Sequence, residues 1–172
     1  MVRAFISVGS NINPAQNTAE ALYALSHKVR IMAISTVYLT HPENRPEQPC
    51  YYNCVVEIET DRPVIELKHM VNKIEDTLGR VRSTDKYAAR TIDLDILLYG
   101  NIVMETSELN LPAPEILSRP FLAVPLQELA PGLIIPNSGE RIHSAARMSE
   151  TMKPLPRFTE RIRREILYEK KP

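Results

Sequence analysis

The stretch Arg90-Thr91-Ile92-Asp93-Leu94-Asp95-Ile96-Leu97-Leu98-Tyr99-Gly100 decides how the rest of the chain is read. Its apolar run and closing glycine predict a strand. Side chains two apart on a strand share a face, so Asp93 and Asp95 project together, with Cα atoms roughly 6.5–7 Å apart. Ile92, Leu94 and Ile96 fill the opposite face. Two adjacent carboxylates repel each other and are costly beside a core. A divalent cation removes that cost, and a hard cation such as Mg²⁺ takes one or two carboxylates together with substrate phosphates. A solvated strand edge would carry the same Asp-x-Asp, so the neighbours decide. They are cationic: Arg80, Arg82, Lys86 and Arg90 precede the strand, with Glu75 just before them. Guanidinium is the side chain best matched to phosphate oxygens. Paired acids for a metal, behind a basic loop, suit a polyphosphate.

Upstream, residues 4–8 read as a strand ending at Gly9. Pro14 suits the first turn of a helix whose stripe runs to about His27. Val29 to Leu39 reads as one long strand and Tyr51 to Ile58 as the next. Between them, Pro42, Pro46 and Pro49 forbid regular structure, in a loop long for a hairpin. Asp61-Arg62-Pro63 starts a second helix, and Gly79 is its stop. Downstream of Gly100, residues 102–104 read as a short strand pairing back. Leu111-Pro112-Ala113-Pro114 reads as a rigid turn, 115–130 as helical pieces broken at Pro120 and Pro125, and 142–148 as a short helix. The order β-α-β-β-α-β is that of a ferredoxin-like split unit. An α+β fold follows, with a mostly antiparallel sheet and helices on one face. Residues 1–150 form the expected domain. Residues 151–172 form a basic C-terminal tail that reads as a solvated helix.

Composition narrows the function. The 172 residues suit one domain, and 44% hydrophobic content suits a packed core rather than disorder. Net charge is zero, so no global basic field draws nucleic acid, and any anion site is local. No run approaches the roughly 20 apolar residues of a membrane span. The N-terminus enters a strand pattern at once, without the apolar stretch of a signal peptide, and a cytoplasmic location is the expectation. Cys50 and Cys54 on one extended segment would lie roughly 13 Å apart, too far for a disulfide. His27, His41, His69 and His143 show no metal-ligand spacing. The oligomeric state stays open, and a monomer is compatible with the sequence.

The chain resembles the 6-hydroxymethyl-7,8-dihydropterin pyrophosphokinases of folate biosynthesis. The resemblance is carried by Gly9-Ser10-Asn11, Tyr38-x-Thr40-x-Pro42, Gln48-x-x-Tyr51-x-Asn53 and Ile74-Glu75. It continues through Gly79-Arg80-x-Arg82, the acidic strand, Leu111-Pro112-x-Pro114 and Arg119-x-Phe121 to Pro125-Leu126-x-Glu128-x-Ala130-Pro131. It implies Mg²⁺-dependent transfer of pyrophosphate from ATP, the co-substrate, to the pterin hydroxymethyl group, with release of AMP. It implies that Asp93 and Asp95 hold two Mg²⁺ ions, and that Arg80, Arg82 and Lys86 act with them on the triphosphate. ATP would be bound by Glu75, Arg80, Arg82, Lys86, Tyr87, Ile96 and Arg119. The pterin would be bound by Thr40, Pro42, Tyr51, Asn53 and Phe121.

Four positions depart from the family pattern. Tyr87 replaces a tryptophan, Ala88-Ala89 a Gly-Pro, Lys86 an arginine and Ala113 a histidine. They leave an alternative open, a pterin-binding protein with weak or no transfer. A ferredoxin-like nucleic-acid module is a third reading, disfavoured because the aromatic RNA-binding signature of that fold is missing.

Overall fold

The computed structural model describes residues 1–85 and 87–169. Strand β1 (Val2–Ser10) lies at the centre of the sheet. It pairs with β4 (Tyr51–Thr60) on one side and β5 (Asp93–Tyr99) on the other. The far edge of β4 is shared by β2 (Arg30–Ile34) and β3 (Tyr38–Thr40). All these pairings are antiparallel. Helix α1 (Pro14–Ser26) follows β1, and α2 (Val64–Thr77) follows β4. Gly79 ends α2 with φ +78°, a conformation glycine adopts without the Cβ penalty. The α+β, ferredoxin-like order is therefore as expected.

Strand alternation divides the core in two. Ala4, Ile6, Val8, Cys54, Val56, Ile58, Leu94 and Ile96 face α1 and α2. Phe5, Val55 and Leu97 face the other way, onto α3 (Pro120–Leu129) through Leu122, Ala123 and Leu126. Helices thus cover both faces, not one. A register shift opposite Phe5 and Ile6 leaves Leu97 as an extra residue, so Leu97 and Leu98 both join the α3 side.

Several boundaries differ from the sequence reading. The single strand expected over residues 29–39 is two, because Ser35 to Val37 leave the ladder. There Ser35 uses its hydroxyl to accept from Val55 N at 2.9 Å. Helix α3 runs unbroken through Pro125; Pro120 starts it, where a missing N–H costs nothing. Residues 104–105 pair with 110–111, as β6 (Met104–Glu105) and β7 (Asn110–Leu111), rather than back onto β5. Within 142–148 only Ile142–Ser144 is helical, as one 3₁₀ turn.

The tail differs most. β8 (Met152–Pro154) pairs with β3 and extends the sheet. Helix α4 (Pro156–Arg163) buries Thr159 and Ile162, and Ile166 follows them into the core. The helix is present, but only one face is solvated. It serves the gap between β2 and β3. Thr159 Oγ1 accepts from Val37 N at 2.9 Å, and Arg163 Nε donates to Ile34 O at 2.8 Å. Among the described residues no helix is long and apolar enough to cross a membrane.

Candidate active site

α3 covers only half of the second sheet face. Beyond it, Ser7, Gly9, Asn53, Asp93 and Asp95 floor an open cleft of about 400 Å³. The proline-rich loop, the basic loop and the segment before α3 form its walls. Gly9 keeps the floor open. A Cβ there would come within 2.7 Å of Asn53 Oδ1, a clash with the amide that lines the cleft.

The two aspartates differ in environment. Asp93 is clamped by the guanidiniums of Arg80 and Arg90, one on each oxygen. Asp95 keeps 54% of its side chain open and meets Lys68 Nζ at 3.5 Å. The surrounding protein disfavours its charge and Asp93 repels it. Together they raise the Asp95 pKa above the ordinary aspartate value, against the pull of Lys68 and Arg80.

Below them lies a buried brace. Glu75, 4% exposed, accepts from Leu94 N at 2.8 Å, which satisfies the free edge of β5. Its carboxylate also accepts from Arg80 at 2.8 Å and from Arg82 at 2.9 Å. Burial raises the Glu75 pKa, only partly offset by the Leu94 N–H and Arg80. Arg80 donates further to Ile92 O at 2.9 Å. Burial lowers its pKa, but Asp93 and Glu75 outweigh burial and raise it. One acid on α2 therefore fixes both the strand edge and the arginine that holds Asp93.

On the other side, Asn53 Nδ2 donates to the buried Thr40 Oγ1 at 2.6 Å, which fixes the amide across β3 and β4. Tyr51, Pro42 and Phe121 line the same region. Arg119 stacks over the Phe121 ring at 5.6 Å and pairs with Glu43 at 3.0 Å. Burial raises the Tyr51 hydroxyl pKa.

The two loops are joined over the cleft. Gln48 Nε2 donates to Tyr87 O at 2.8 Å, and Gln48 Oε1 accepts from Asn11 Nδ2 at 3.1 Å. Asn11 Oδ1 in turn accepts from Arg90 N at 2.7 Å. Arg45 pairs with Asp85 at 3.0 Å.

The structure therefore brings Thr40, Pro42, Tyr51, Asn53, Tyr87, Asp93, Asp95, Ile96, Arg119 and Phe121 to one cleft. It sets Glu75, Arg80 and Arg82 behind the aspartates rather than in the lining. Arg82 pairs with Glu75 and Asp76. Lys86 lies outside the described residues. Sequence reasoning missed Lys68, whose spacing held a signal: it stands two helical turns before Glu75, on the same side of α2. The linking role of Asn11 and Gln48 had none beyond their place in the motifs. Among the described residues no group of three or more acids, histidines or cysteines could hold a metal. Two carboxylates are what Mg²⁺ takes when phosphates supply its other ligands.

Residues 5–131 match the family model for 7,8-dihydro-6-hydroxymethylpterin-pyrophosphokinase (HPPK). The chain belongs to this family of folate-biosynthesis pyrophosphokinases. It is 38% identical over 141 residues to a 2-amino-4-hydroxy-6-hydroxymethyldihydropteridine pyrophosphokinase of Haemophilus influenzae, covering 80% of this chain and 88% of that protein. The same-named protein of Bacillus subtilis is 36% identical over 129 residues, covering 73% of this chain and 77% of that one. A solved Plasmodium falciparum HPPK-DHPS with pteroate superposes with a TM-score of 0.71 at 12% identity, and shows a shared fold. That match covers 89% of this chain and 47% of the longer one, so the HPPK chain spans about half of that structure.

Proposed function

We propose that this HPPK transfers the β,γ-pyrophosphoryl group of ATP to the hydroxyl of 6-hydroxymethyl-7,8-dihydropterin, releasing AMP, with Asp93 and Asp95 holding two Mg²⁺ ions. One observation carries the reading. Both aspartates project from the open half of the sheet face, in the same cleft as the Thr40–Asn53 pair and the Tyr51 and Phe121 rings.

The residues fit the metal. The raised pKa of Asp95 reports a charge its surroundings disfavour, and a cation relieves that cost. Two ions held there by Asp93 and Asp95 would neutralise the phosphates and stabilise charge on the attacking and leaving oxygens.

The remaining work is positioning. Arg80 and Arg90 fix the rotamer of Asp93, and Glu75 fixes Arg80. Asn53, oriented by Thr40, offers donor and acceptor to the polar edge of a pterin. Tyr51 and Phe121 supply ring faces for a flat heterocycle. Arg119 exchanges Glu43 for the phosphate tail, and Arg82 exchanges the exposed Asp76. Lys86 contributes a further cation; Tyr87 and Ile96 bound the adenine side. In-line attack of the pterin hydroxyl on the β-phosphorus needs alignment and charge neutralisation, not a protein nucleophile. The linked loops exclude water from the transfer. A cytoplasmic protein acting on two small molecules, without nucleic acid, completes the reading.

The test is incubation with ATP, Mg²⁺ and the pterin while AMP is followed by chromatography. Pterin-dependent AMP that is lost on adding EDTA is expected. Pterin binding without AMP would instead favour a binding protein, a reading motivated by Ala113, which gives the cleft lining no cation.

A further inference from the structure

Among the described residues, the basic side chains lining the cleft are His41, Lys68, Arg90 and Arg119. Arg90 clamps Asp93, and Arg119 pairs with Glu43 over the Phe121 ring. Lys68 is held differently. Its side chain is 15% exposed, so its stem is packed and its head is confined to the cleft wall. The one hydrogen bond of its ammonium among the described residues goes to Asp95 Oδ1, at 3.5 Å. That is longer than the roughly 2.7–2.9 Å of a well-formed charge-assisted bond. An ammonium carries three donors on a flexible stem. Lys68 therefore has donors to spend beside Asp95.

We infer that Lys68 is a phosphate-binding residue of this HPPK: it neutralises Asp95 in the metal-free protein and passes to the polyphosphate when a cation takes that carboxylate. The inference rests on the reading of Asp95 as a metal ligand. A cation on Asp95 removes the anion Lys68 was serving and repels the ammonium from it. The nearest anion of a bound nucleotide is then its phosphate chain. Ala113, on the cleft wall, provides no competing cation. Lys68 thus compensates, from α2, for a position that carries no charge.

The two roles predict effects of opposite sign. Lys68→Met removes a charge that competes with the metal, so Mg²⁺ alone binds severalfold tighter in calorimetry. The same variant loses a charge-assisted bond to phosphate. Its affinity for Mg²⁺ with α,β-methylene-ATP, whose scissile bridge cannot be cleaved, falls about tenfold. Lys68→Arg restores most of the nucleotide affinity, and pterin affinity stays unchanged in both variants. In turnover, KM for ATP rises more than kcat falls. Lys68→Gln, which keeps the stem polar, repeats the pattern if methionine perturbs folding. Nucleotide affinity that is unchanged or tighter in Lys68→Met, beside a competent wild type, overturns the inference alone. A wild type that neither binds the nucleotide nor forms AMP overturns the pyrophosphokinase reading, and this inference with it.

Discussion

At Asp95 the chain holds a carboxylate whose charge the surroundings disfavour, and the consequence for stability has a definite sign. A folded pKa above the unfolded value near 3.8 means the native state binds more protons between the two values. The associated stability is present below the unfolded pKa and is lost as pH rises through the folded one. At neutral pH the metal-free protein carries that penalty. Asp95→Asn should therefore raise the thermal midpoint without metal, with the advantage shrinking as pH falls towards 4, while AMP formation drops at least about 100-fold. Melting curves from pH 4 to 8 and a turnover assay check both. A lower midpoint at neutral pH would remove the pKa argument. At Gly9, alanine places its Cβ 2.7 Å from Asn53 Oδ1. Overpacking of this kind costs about 1–3 kcal/mol. The displaced amide should weaken pterin binding with little change in nucleotide affinity, measurable by fluorescence titration. Asp93, Asp95 and Asn53 were legible in the sequence because strand period and motif spacing fix their direction. Lys68 was not, because its meaning depends on which strand lies beside α2.

Among the elements, α2 and β5 are joined through Glu75 rather than by apolar packing alone. Its carboxylate takes the β5 edge N–H, Arg80 and Arg82 together. Breaking a buried ion pair from one side costs about 3–5 kcal/mol, because the partner charge stays behind. Glu75→Ala should destabilise by the lower end of that range in urea unfolding, since Arg80 keeps Asp93. A change under about 1 kcal/mol would show that the brace is not structural. Across the cleft, Gln48 links the proline-rich and basic loops. Gln48→Ala should speed amide hydrogen exchange in residues 82–90 and leave β1 and β4 unchanged. The ends of α1 and α2 were legible from Pro14 and Gly79, which act locally. The break at Ser35 to Val37 was not. Its sequence suits a strand, and its N–H groups at Thr36 and Val37 are taken by Glu128 and Thr159, 92 and 122 positions away.

For the whole molecule, the face that α3 leaves bare is what makes room for chemistry. One side of the sheet is sealed by α1, α2 and the tail; the other is sealed only as far as Phe5, Val55 and Leu97. The tail is part of this economy. Ending the chain at residue 150 would uncover β3 and leave buried Val37 N without its Thr159 partner. An unsatisfied buried donor costs about 1–3 kcal/mol, before the loss of Ile162 and Ile166 is counted. The shortened protein should melt well below the full chain. An unchanged midpoint would return the tail to the status of an appendage. The basic character of residues 151–172 concealed this, because among its described residues the buried ones, Met152, Thr159, Ile162 and Ile166, are scattered between charges. The central claim is that Asp93 and Asp95 hold the metals for transfer to a pterin bound beside them. A crystal structure with Mg²⁺, α,β-methylene-ATP and 6-hydroxymethyl-7,8-dihydropterin tests it most directly. The account predicts cations on both carboxylates, with the pterin against Asn53 and its hydroxyl facing the β-phosphorus. Metal and phosphates elsewhere, with neither Asp93 nor Asp95 on a cation, would contradict it.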